Sequence, residues 1–76
     1  MDFNKLRSDK TNEYITLRGQ AIQHLYKMRE GMAKYPDKAE FAREALETQL
    51  LLDNLNNQFD DTMKLITQME LNHNDA

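Results

Sequence analysis

The 76-residue chain contains no cysteine, no tryptophan, one proline and two glycines. Without cysteine it has neither a disulfide nor a thiolate metal site, the common supports of a fold this small. No apolar run approaches the ~20 residues needed to cross a bilayer, and Met1-Asp2-Phe3-Asn4-Lys5 lacks the hydrophobic stretch of a signal peptide. These absences predict a soluble cytoplasmic protein with no membrane association. Serine occurs only at Ser8 and histidine only at His24 and His73. A nucleophile and its base therefore have almost no material to draw on, and the expectation is a non-enzyme without a cofactor. A single domain of this length buries only about 60% of the surface its unfolded chain exposes. Stability is marginal on that reckoning, and association with other chains is the support that remains.

Charge is unevenly spread. The formal net charge is −3, yet residues 1–36 carry seven basic groups against four acidic ones, and residues 37–76 carry three against nine. A basic arm for nucleic acid is one reading of that asymmetry, and two arms lying side by side is the other.

The apolar pattern favours two arms. Positions equidistant from Tyr35-Pro36-Asp37 match one another: Met32 with Phe41, Met28 with Ala45, Leu25 with Thr48, Ala21 with Leu52 and Tyr14 with Phe59. With a one-residue offset the register continues to Leu17 with Leu55, Leu6 with Ile66 and Phe3 with Met69. It also brings Lys10 towards Asp60 and Asp61, Arg18 towards Asp53 and Lys27 towards Glu44, pairs worth ~0.2 to 1 kcal/mol each when exposed.

The expected fold is all-α, a single antiparallel two-helix hairpin with long coiled-coil-like arms. Helix 1 runs over about 3–34, with Asp2 as its N-cap or, alternatively, Ser8-Asp9 capping a later start and leaving residues 1–7 as a loose arm. Pro36 ends it, because proline lacks a backbone donor and disfavours helical geometry in the residue before it. Helix 2 begins at Lys38, with Asp37 and Glu40 in capping-box spacing and Pro36 and Phe41 as a staple, and runs to about 71 before a frayed tail over 72–76. Phe41, Ala45, Thr48, Leu52, Leu55, Phe59, Thr62, Ile66 and Met69 keep heptad spacing along it. The seam holds Tyr14, Ala21, Leu25 and Met28 on one arm against Leu52, Leu55, Phe59 and Ile66 on the other. Gly19 and Gly31 lie off its centre, and Gly31, near the helix end, reads as merely tolerated.

Apolar residues outnumber what a lone hairpin covers. Leu46 and Leu50 project away from the seam, Leu51 and Leu65 extend one flank, and Ile15, Ile22 and Tyr26 widen the other. A contiguous apolar surface marks an interface. Two hairpins joined as a homodimeric four-helix bundle bury the flanks, while Leu46 and Leu50 stay available to a heterologous protein. The function that follows is non-catalytic protein binding that regulates, inhibits or chaperones a partner. Compact cysteine-free modules of this kind are common among phage and mobile-element accessory proteins, a likeness of size class alone.

Competing sites are weaker. Lys5, Arg7, Lys10 and Lys27 are the groups a hairpin dimer has for nucleic acid, and the acidic balance counts against them. Glu70 and His73 share a helical face in the Glu-x-x-His spacing of carboxylate-bridged metal bundles, but lack the further ligands such a site requires. Glu40, Glu44 and Glu47 form a carboxylate row that reads as a solvated face. Arg18 and Arg29 border the apolar arc, where their stems cover the seam or their heads anchor a partner.

Overall fold

In a computed structural model, which describes residues 1–75, the chain forms two α-helices, α1 (Phe3–Lys34) and α2 (Ala39–Asp75). They fold back on each other as a hairpin measuring 61 × 16 × 11 Å. Its radius of gyration is 17.6 Å, against about 11 Å for a compact domain of this length. Two helices of more than thirty residues with no third layer have no means of becoming rounder.

Asp2 caps α1. Its carboxylate accepts the Lys5 backbone N–H at 3.0 Å, and the Leu6 N–H bonds its carbonyl at 3.1 Å. The helix therefore starts at Phe3, and residues 3–8 belong to it instead of forming a loose arm. At the other end the Tyr35 N–H closes onto the Gly31 carbonyl at 2.8 Å, and the Lys38 N–H onto the Tyr35 carbonyl at 3.0 Å. Pro36 occupies the second position of this tight turn, where its fixed φ is favourable.

Asp37 is consumed by the turn, so α2 begins at Ala39 and Lys38 takes the position before it. Tyr35 packs on Phe41, with ring centroids 5.9 Å apart, and Lys38 Nζ lies 5.1 Å from the Tyr35 ring centre. The far end of α2 also differs from expectation. It stays helical through Asp75, beyond the expected stop at 71, and Ala76 lies outside the described residues. Neither glycine nor proline interrupts it, Gln68 bonds Asn72 one turn on at 3.2 Å, and His73 packs against Phe3.

The core is a single line of side chains. Ala21, Leu25 and Leu52 form its buried cluster, with Ile22 and Ala45 packed against it, and Thr48 and Ile66 are buried further along. Thr48 spends its hydroxyl on the Glu44 carbonyl at 2.8 Å, which removes the cost of burying it. Tyr14 stacks on Phe59 with centroids 4.2 Å apart, and its hydroxyl donates to Asn56. Among the described residues no side chain is wholly enclosed.

Three seam positions read from sequence are not enclosed. Leu17, Met32 and Met69 remain 49%, 40% and 43% exposed. Gly31 is buried and takes the place expected for Met32, because the Phe41 ring lies directly on it. Phe3 meets His73, with ring centroids 5.8 Å apart, and the long Arg7 side chain crosses to Glu70 at 2.8 Å. The expected pairs of Lys10, Arg18 and Lys27 with α2 carboxylates do not form. Lys10 bonds Glu13 at 3.2 Å and Lys64 bonds Asp60 at 3.0 Å, each along its own helix. A partner one turn away on the same helix restrains less of the chain than one on the opposite arm.

Candidate interaction surface

The chain exposes 5925 Å², whereas a compact protein of 9.0 kDa exposes about 4,900 Å². Large apolar side chains contribute to the excess. Ile15, Tyr26, Leu46, Leu50, Leu51 and Leu65 each expose between 52% and 64% of their surface. Ile22 is the exception among the flank residues, being half-buried against the Ala21–Leu25–Leu52 cluster.

Contacts across the seam define two faces. His24 Nε2 lies 3.1 Å from Glu44 Oε1 on one of them. Leu17 borders the same side, in an open groove with Tyr14, Leu55, Phe59 and Thr62. Helical spacing puts Leu51 and Leu65 on the Glu44 row, so they share this face. The opposite face holds the Arg7–Glu70 and Tyr14–Asn56 contacts, and spacing assigns Ile15, Ile22 and Leu46 to it. Leu50 and Tyr26 point outward from the backs of their helices. Leu17, Met69 and Leu71 enlarge the apolar area beyond what sequence reasoning assigned to it.

Some of the charged groups are paired. Arg7 grips Glu70 with both terminal nitrogens, at 3.2 and 2.8 Å. That hydrogen bonding, reinforced by the opposite charges, raises the Arg7 pKa and holds the Glu70 carboxyl below the usual carboxylate range. Lys64 is likewise raised, first by its hydrogen bond to Asp60 and then by the charges of Asp60 and Asp61. Lys34 meets Glu30 at 3.2 Å. Arg18 and Arg29 join none of the ion pairs among the described residues.

Among the described residues no three histidine, cysteine or acidic side chains converge as metal ligands. Glu70 is engaged by Arg7 and His73 by Phe3, while Glu44 of the carboxylate row meets His24. No helix among the described residues is long and apolar enough to cross a membrane. No protein-family model, curated protein or solved structure matches this chain.

Proposed function

We propose that this hairpin is a non-catalytic protein-binding module, one that self-associates into a dimeric four-helix bundle and engages a heterologous partner through Leu46 and Leu50, regulating, inhibiting or chaperoning it. The observation that carries this reading is the mismatch between a one-residue-wide core and six apolar residues outside it that are more than half exposed. Apolar side chains at that density are costly to leave in water, at roughly 25 cal/mol per Å² of apolar area. An area excess of about 1,000 Å² is what one partner contributes to a stable interface, where about 800 Å² per side is usual.

Sedimentation across a concentration series, combined with pull-downs from cells of the source organism in high salt, tests both halves. The expected result is a dimeric mass and a co-purifying protein that Leu46→Asp and Leu50→Asp each release. A monomeric mass at every concentration removes the self-association, and retention of the partner by both variants removes Leu46 and Leu50 from its binding site.

A further inference from the structure

Resting on the self-association proposed above, we infer that the second copy docks antiparallel along one strip of α2, its two-fold axis level with Asp60. The strip is Leu51, Leu55, Gln58, Thr62, Leu65 and Met69, spaced alternately by four and three residues. This is a second heptad seam on the same helix. The first, facing α1, runs through Leu52, Leu55, Phe59, Thr62 and Ile66, and the two share Leu55 and Thr62. A helix with two overlapping seams has two helical neighbours, and the hairpin supplies only one. Leu51, Leu65 and Met69 are exposed and Leu55 and Thr62 half-buried, as expected for a strip with one edge covered.

The strip also matches itself when reversed, which is what an interface between identical copies on a two-fold axis demands. In the antiparallel register Leu51 meets the partner's Met69, Leu55 meets the partner's Leu65, and Gln58 meets the partner's Thr62. Each of these layers occurs twice. The two outer types are apolar and the central one is polar, with an amide and a hydroxyl able to satisfy each other. A central polar layer of that kind fixes register, because sliding by one heptad sets it against leucine. Leu17 borders the same groove as Leu55, so α1 extends the covered area at the middle of the rod. The other face, with Ile15 and Leu46, is left uncovered by this arrangement.

The absence of native cysteine makes a direct test possible. Leu51→Cys and Met69→Cys replace exposed residues, and the full-length variants are co-refolded, then treated with a short-spacer bismaleimide. The proposed register puts these two thiols in one layer, whereas two copies of Leu51→Cys hold theirs about 27 Å apart. The expected outcome is a covalent dimer from the mixture and its loss when either variant is treated alone. A dimeric sedimentation mass with no cross-link in the mixture, or equal cross-linking of each variant alone, overturns this face and register while the self-association stands. A monomeric mass overturns both.

Discussion

The ring of Phe41 lies on the backbone of Gly31, so closely that a Cβ at that glycine would overlap it. Gly31 is thus a point of close approach between the two arms, just before the turn. Gly19 has nothing within 4 Å of where its Cβ would be. The two alanine substitutions should therefore move stability in opposite directions. Gly19→Ala is expected to stabilise by up to about 1 kcal/mol through helix propensity. Gly31→Ala gains the same propensity but suffers overpacking of about 1 to 3 kcal/mol against a ring pinned by Tyr35. Thermal melts of the pair check the sign, and a higher melting temperature for Gly31→Ala would contradict the close approach.

The bidentate contact between Arg7 and Glu70 makes the open end of the rod sensitive to acid. Because the Glu70 pKa is lowered in the folded chain, its contribution is fully present above the unfolded-state value of about 4.3. It is lost as pH falls through the folded value. Glu70→Gln should flatten that part of the acid limb, and melting temperature plotted against pH for both proteins measures it. Identical acid limbs would show that the pair contributes nothing.

Burial separates residues that hold the hairpin from those that only decorate it. Leu25, 6% exposed, belongs to the innermost cluster, so Leu25→Ala is expected to cost about 2 to 5 kcal/mol and leave little folded protein. Leu46→Ala, at an exposed site, should stay within about 0.5 kcal/mol of the parent. Circular dichroism in urea distinguishes them.

Tyr14 and Phe59 stack with their planes 12° apart. A double-mutant cycle with Tyr14→Ala and Phe59→Ala should return a coupling of about 0.5 to 1.5 kcal/mol. Tyr14→Phe, which keeps the stack but loses the bond to Asn56, should retain most of it. Strict additivity of the two alanine variants would dismiss the stack as an energetic contact.

Much of the hairpin was legible because one proline and a helical period leave few alternatives. Tyr14 against Phe59 and Ala21 beside Leu52 follow from counting outward from Pro36. What escaped counting depends on side-chain shape and reach. Arg7 spans a full turn to Glu70, a flat ring exploits the missing side chain of Gly31, and lysines settle for neighbours on their own helix. At the candidate surface, spacing alone shows that Leu46 and Leu50 point away from the seam. It does not show that Leu17 stays outside while Ile22 folds in, because both lie at the edge of the buried arc and packing against Leu52 decides between them.

The turn at Tyr35–Lys38 closes only one end of the rod. Tyr35 and Phe41 are six positions apart in the chain, while Phe3 and His73, which also touch, are seventy apart. Closing a contact costs more chain entropy the longer the loop it completes, so the arms should zip from the proline outward and open in reverse. Amide hydrogen exchange ought to fall off as a gradient along the molecule, fastest near Phe3 and slowest around Leu25 and Leu52. A partner clamped across the middle would steepen that gradient into a step.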